Sequence, residues 1–412
     1  MSYRLQIITT VPALLQRQFV ASNPGYGELS YTERFDRLLQ MGYMLSTLPP
    51  RYFGALGNEA QLNTAFFRPL QDAWAAEHGL DPADQQRVIL AQVREYQPDV
   101  VFLPDLYAID REMRARMREC AGRRVALVGW RSAPTPDFGV FTDLDLILTA
   151  APDFVPRLRQ AGARPAYLPL SFERAMVDLG LPYGQRDIAF SFCGTVSRPN
   201  AAHGRRHGAI EQLLERTPLQ VWGLMEEKRL MAPRLVYKAV YQANTLLRAM
   251  RMPERVRRAL PVVRYGVSWT DDPTLPSIRE RLPERFQPPV IGVGYFQVLG
   301  RSQLTFNYHI DVAERIAGNL RLYEATGMGA CLVTDWKENL PDLFEPDREV
   351  VCYRSIAECV DKVTYLLNHP EESERIAAAG QRRTLRDHTT EQRVAQADHV
   401  FQELLMTEDV KE

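Results

Sequence analysis

The chain has 412 residues with 50 basic and 51 acidic side chains, a formal net charge of −1, 45% hydrophobic and 25% charged residues. That balance excludes a general nucleic-acid binder and leaves room only for a local basic patch, while the length is that of two domains at roughly 100 to 200 residues each. Five scattered cysteines without a CxxC pair give no disulfide or zinc pattern, no apolar run approaches the roughly 18 residues of a spanning helix, and the first residues lack a secretory signal, so a cytoplasmic globular protein is expected.

In chain order, residues 5–10 form a short β-branched run and 13–20 an amphipathic stretch, the strand-then-helix opening of an α/β domain. Helices are expected at 31–45 and around Phe66 to Trp74, and at 82–95 with Asp81 as cap and Pro82 at the first position. The segments 99–104, 124–129 and 144–149 are short, apolar and separated by helical or turn-rich stretches, as in a parallel sheet. A brief helix at 154–160 and a strand at 166–170 follow. Gly180, Pro182 and Gly184 then mark a linker.

A second βα series begins at 187–193, with a polar loop from Gly194, a helix at 207–215 and a strand at 219–222. This order places a ligand beyond the carboxyl ends of the strands. Arg198, Arg205 and Arg206 lie near that helix's amino terminus, where an anion would find free N–H groups; a solvated basic turn is the alternative, since neither GxGxxG nor a phosphate-loop lysine is present. His203 and His207 lack the carboxylate partner a metal site needs. Residues 226–264 interrupt the pattern as a basic amphipathic insertion, with Leu235, Val240, Leu246 and Met250 at helical spacing among many arginines. It suits an anionic membrane or partner, or packs its apolar stripe on its own domain.

The α/β pattern resumes at 288–300, with a strand at 304–309. The run 307–335 then carries Asn319, Arg321 and Glu324 in a helical stretch that stops at Gly327 and Gly329 before the buried strand 330–334. Arg321 and Glu324, three apart, either pair with each other or face something polar. Further elements are expected at 340–344, 350–353, 355–367, 371–385 and beyond His388.

The linked set N-x-R-x-x-E-A-x-G-x-G-A from Asn319, L-x-T-D from Leu332 and Y-x-S-x-x-E-C from Tyr353 resembles the carboxyl-terminal domain of the spore-maturation-type branch of group 1 glycosyltransferases. The resemblance covers about residues 187–393, is weaker in the first half and fails for the insertion. It implies a GT-B architecture, two Rossmann-like α/β domains facing across a cleft. Residues 1–180 would take the acceptor and 181–387 the nucleotide sugar, with 388–412 crossing back to the first domain.

By the same resemblance, Glu324 would bind the ribose hydroxyls, Asn319, Arg321 and the Gly194–Thr195 turn would lie near the diphosphate, and Trp222 and Gly223 would meet the base. Core packing is the alternative for Trp222. Asn307 and His309 match positions just ahead of the site, His309 lining the sugar pocket or standing as a satisfied buried histidine. Where many retaining members carry a second glutamate, eight positions before Glu324, this chain has Ile316, so a retaining mechanism is not carried over. An inverting reaction would need a base from the first domain; Asp105, after a strand end, is the expectation, with a turn cap as alternative. No metal and no cofactor besides the donor is implied. The partners implied are a nucleotide-sugar donor, a glycan, lipid-linked or protein acceptor, and peripheral membrane contact through the insertion. A nucleotide-sugar epimerase and a non-catalytic binding protein are the alternatives.

Overall fold

The computed structural model describes residues 2–43, 48–133, 135, 137–196, 204–223, 233–269, 272, 274, 276–309 and 315–409, with backbone only at 204, 408 and 409. Two six-stranded parallel sheets carry the fold. The first contains β1 (Arg4–Thr10), β2 (Glu59–Ala65), β3 (Val100–Leu103), β4 (Ala126–Trp130), β5 (Leu146–Thr149) and β6 (Pro165–Tyr167), in the order β2-β1-β3-β4-β5-β6. The second contains β7 (Ile188–Cys193), β8 (Leu219–Trp222), β9 (Phe286–Gln287), β10 (Ser302–Asn307), β11 (Cys331–Asp335) and β12 (Val351–Tyr353), in the order β12-β11-β10-β7-β8-β9. Contacts divide the chain into two compact units, Met1–Phe192 with Val290–Glu412, and Cys193–Pro289.

The first sheet is covered on both faces, which is why β3 is apolar at every position and the buried positions of β1, β4 and β5 are largely apolar. Leu5, Ile7, Val100, Phe102, Val128 and Leu148 enter one core, and Ile8, Val101, Leu103, Leu127 and Ile147 the other. The first core is completed from the far end of the chain by Val394, Ala397, Phe401 and Leu404 of helix Thr390–Asp409. Asp398 on that helix accepts hydrogen bonds from Tyr3 Oη and Asn58 Nδ2, both at 2.7 Å. The chain crosses between the sheets twice, and the two crossings are bonded together. Phe172 N–H donates to the His388 carbonyl at 2.9 Å, and Thr390 N–H to the Phe172 carbonyl at 2.9 Å.

One strand goes unread in the sequence and one helix start moves. Edge strand β2, EAQLNTA, is not visible as a strand in the sequence because Glu59, Gln61 and Asn63 are polar; inside, Asn63 is met by Gln6 Nε2 at 2.9 Å. The fifth helix of the chain runs Gln85–Tyr96 and is capped by Asp84, which accepts from Arg87 N–H at 3.0 Å. Asp81 instead closes a turn onto Ala83 N–H at 2.8 Å, so the helix begins one turn later than the Asp-Pro pair suggests.

Candidate functional site

The carboxyl ends of β10 and β11 lie side by side, with Asn307 registered against Thr334. Asn307 is fully buried and organises the polar groups around it. Its Nδ2 donates to Thr334 Oγ1 at 2.9 Å and to Asn319 Oδ1 at 3.3 Å. Its Oδ1 accepts from Asn319 Nδ2 at 2.7 Å and from Arg321 Nη1 at 3.3 Å. The Tyr353 hydroxyl donates to its carbonyl at 2.9 Å. Burial pushes that phenol well above its ordinary pKa, so it remains a donor. The Arg321 guanidinium lies 4.9 Å from the centre of the buried Phe192 ring, a cation–π arrangement that sets its plane.

Helix Arg321–Gly327 is shorter than the sequence suggests, and Asn319 precedes it. Six of its seven residues are buried, Glu324 among them. Glu324 Oε2 accepts from the Tyr295 hydroxyl at 2.7 Å. Among the described residues no ion pair joins Arg321 to Glu324. Their spacing would permit one, but the sheet takes the arginine and helix Val293–Arg301 takes the glutamate. Close packing holds this helix in place, for a Cβ on Gly327 would stand 2.4 Å from the Phe172 ring.

His309 follows β10 and is only 2% exposed. Its Nδ1 lies 2.7 Å from Asp335 Oδ1, which also accepts the His309 backbone N–H at 3.0 Å. Lys337 Nζ stands 3.3 Å from Asp335 Oδ2. Burial works to raise the Asp335 pKa, but the hydrogen bonds and charge of His309 and the charge of Lys337 outweigh it, holding the carboxyl below its ordinary value. The carboxylate therefore fixes Nδ1 as the protonated ring nitrogen. His309 Nε2 is buried and has no hydrogen-bond partner among the described residues. Beside this pair a cavity of about 330 Å³ opens, lined by Asp335, Lys337, Tyr353 and Arg354.

In the other unit, Gly194 has φ of +151°, and its N–H donates to the Trp222 carbonyl at 3.0 Å. A Cβ on Gly223 would lie 1.8 Å from the Gly194 carbonyl oxygen, so this turn requires glycine there. The Thr195 carbonyl accepts from Arg206 Nη2 at 2.9 Å, and Trp222 is half-buried at the end of β8. Arg198 and His203 lie outside the described residues. His207 faces Glu211 at 3.6 Å, and no cluster of three metal-ligating side chains occurs among the described residues.

Asp105, past the end of β3, accepts from Thr10 Oγ1 at 2.7 Å and from Tyr107 N–H at 3.3 Å, the second bond being that of a turn cap. Its partners lie on β1 and in the turn after β3, and not in the Asn307 cluster. Nearby, Phe102, Pro104, Trp130, Leu168, Leu170 and Leu320 line an apolar cavity of about 230 Å³ at the carboxyl ends of β3, β4 and β6. Tyr295 and Phe192 carried no signal in the sequence, because their role depends on elements far away along the chain. Thr334 and Asp335 did carry one, as the last two letters of L-x-T-D.

Residues 242–398 match a family model described as glycosyl transferase-like. No curated protein sequence matches the chain. Among solved structures, a sucrose-phosphate synthase from Thermosynechococcus elongatus is similar with a TM-score of 0.53 at 11% identity, covering 98% of this chain and 100% of that one. HepE of Anabaena in complex with UDP-glucose is similar with a TM-score of 0.52 at 13% identity, covering 97% and 100%. A glycosyltransferase from Rickettsia africae gives 0.51 at 10%, covering 98% and 99%. The fold is GT-B. In this GT-B chain, Asn307, Asn319, Arg321, Glu324 and His309 all fall inside the segment that the family model matches.

Insertion 226–264 differs from one of its two expected arrangements. Helix Arg234–Ala249 buries Val240 and Asn244, while Leu235, Leu246 and Met250 are 79%, 62% and 67% exposed. Its anchor is polar: Asn244 Nδ2 donates to the Val263 carbonyl at 3.0 Å, and its Oδ1 accepts from Arg257 Nη1 at 2.9 Å. Much of the apolar stripe therefore does not pack on its own unit. Among the described residues no helix is long and apolar enough to cross a membrane.

Proposed function

We propose that the protein is a glycosyltransferase that moves a sugar from a nucleotide-diphosphate donor to an acceptor. One observation carries the reading: His309 Nε2, a buried polar atom without a partner among the described residues, is oriented by Asp335 at the carboxyl edge of a parallel sheet. A sugar hydroxyl, able both to donate and to accept, is a partner suited to such a nitrogen. Glu324 is a carboxylate suited to two ribose hydroxyls, with Tyr295 holding one oxygen in place. Arg321, steadied by Phe192 and Asn307, supplies a fixed positive charge to the diphosphate as it departs. The Gly194–Thr195 turn is assigned, as a separate proposal, to backbone contact with phosphate.

The apolar cavity at the ends of β3, β4 and β6 supports an acceptor with an apolar portion, and Asp105 is assigned as the base that takes its proton. The exposed Leu235, Leu246 and Met250, among the insertion's arginines, favour contact with an anionic membrane, where such an acceptor would reside. The reading is tested by a thermal-shift and turnover screen across UDP-, GDP-, dTDP- and CMP-sugars. One donor class should stabilise the protein, and the stabilisation should vanish in His309→Ala and Arg321→Ala. No response to any donor would sink the proposal. Asp105→Asn should remove turnover while donor binding is kept.

A further inference from the structure

Away from the Asn307 cluster, six arginines from three distant segments converge on one cavity of about 630 Å³: Arg174, Arg348, Arg375, Arg382, Arg383 and Arg386. Four belong to helix Pro370–Asp387, where 375, 382 and 386 share a face; Arg174 and Arg348 are brought to it only by the fold. Two glutamates, Glu345 and Glu349, share the lining.

The charges do not balance. Arg348 pairs with Glu345 at 2.8 Å and Arg375 with Glu372 at 3.1 Å, while Arg383 and Arg386 share Asp387, at 3.1 and 2.7 Å. Among the described residues Arg174 reaches only the Leu385 carbonyl, at 2.8 Å. Arg382 is exposed and makes no hydrogen bond or ion pair among the described residues. Most of the pairs are solvent-exposed, the kind that contributes little to stability and can be exchanged for a better anion. A guanidinium group binds phosphate through two parallel N–H bonds, and several around one cavity suit an anion with more than one such group.

We propose that this cavity binds a small soluble ligand bearing two or more phosphate groups. Its place in the fold gives the binding a structural consequence. Arg174 lies two residues beyond Phe172, and Arg386 two before His388, the residues through which the two crossings are bonded. A ligand held by both arginines therefore ties the crossings together.

The test is calorimetric titration of the full chain with inorganic pyrophosphate, in parallel with thermal unfolding. Saturable binding and a raised unfolding temperature are expected in the wild type. In Arg375→Glu with Arg382→Glu, both exposed positions, binding weakens at least tenfold while the response to nucleotide sugar is unchanged. Arg382→Gln alone, which introduces no repulsion, should weaken it by a smaller factor. Absence of saturable binding overturns the proposal. So does binding that disappears in Arg321→Ala but survives the double substitution, because the pyrophosphate would then occupy the proposed donor site. Phosphatidylglycerol vesicles that bind the wild type but not the double variant, with no heat from pyrophosphate, also overturn it and assign the cavity to a lipid headgroup.

Discussion

Helices Arg321–Gly327 and Arg234–Ala249 differ in a way that their sequences invert. The first has seven residues, includes an arginine and a glutamate, and buries six of them. The second has sixteen residues with a strong apolar stripe, yet buries only Val240 and Asn244 and leaves Leu235 and Leu246 in solvent. Covering is therefore decided by what the rest of the chain brings to a helix. The short one is enclosed by Phe172 against Gly327, by Tyr295 on Glu324, and by His388 and Phe344 against Tyr323, with ring centres 5.0 and 6.0 Å apart. A long helix held mainly along the side of Val240 and Asn244 presents much of its apolar surface outward. A buried polar helix is suited to hold a ligand rigidly, and an exposed apolar one to meet a surface.

The comparison can be broken most directly at Tyr323. Tyr323→Ala should cost about 3 to 5 kcal/mol in denaturant unfolding, because the cavity it leaves is closed on all sides. A loss near zero would mean that the short helix is not part of the cooperative core.

A pH effect of about 3 kcal/mol is expected at the residue that caps Tyr323. Burial lowers the His388 pKa from 6.5 to about 4, and the ring is held neutral, with Nε2 donating to the Leu343 carbonyl at 3.1 Å and Nδ1 accepting from Arg393 Nη2 at 2.9 Å. A histidine whose folded pKa is depressed contributes stability above its unfolded pKa and loses it as pH falls toward the folded value. Unfolding free energy should therefore decline between about pH 6.5 and 4, and His388→Gln should flatten that part of the profile. An unchanged slope would show that the ring charges freely.

Glu324→Gln keeps the shape of the side chain and removes the charge that receives hydroxyl protons. Affinity for the responding nucleotide sugar should fall by about 10- to 100-fold, equivalent to about 1.5 to 3 kcal/mol, with the unfolding midpoint little changed. Equal affinity by calorimetry would remove Glu324 from the site.

The smallest expected effect on stability is on the long helix. Leu246→Ala should change unfolding by no more than about 0.5 kcal/mol, because the side chain is already in water. Leu246→Glu with Met250→Glu should leave the fold intact but abolish sedimentation with anionic vesicles. Retained sedimentation would place the membrane contact elsewhere.

Strands β3, β4, β5, β7 and β11 were legible in the sequence because burial on both faces demands uninterrupted apolar residues. Edge strand β2 was not, since Glu59, Gln61 and Asn63 interrupt the apolar pattern and Asn63 looks out of place until its partner Gln6 is known. In the candidate site, Asn307, Asn319, Arg321 and Glu324 could be named from their spacing and the family resemblance. Their partners could not: Tyr295 and Phe192 reach them from other elements, and the Arg321–Glu324 spacing was equally compatible with an ion pair.

Periodicity and composition by themselves determined that this chain builds two apolar parallel sheets with short polar segments at their edges, because residue type along a strand or helix encodes which face must leave water. Tertiary structure alone decided which of those faces found cover, which charges found partners, and which arginines met around a cavity. Hydrogen bonds and ion pairs act over a few ångströms in space and carry no period along the chain. The helix with the stronger apolar pattern could thus remain exposed while the polar one became the buried wall of the proposed site.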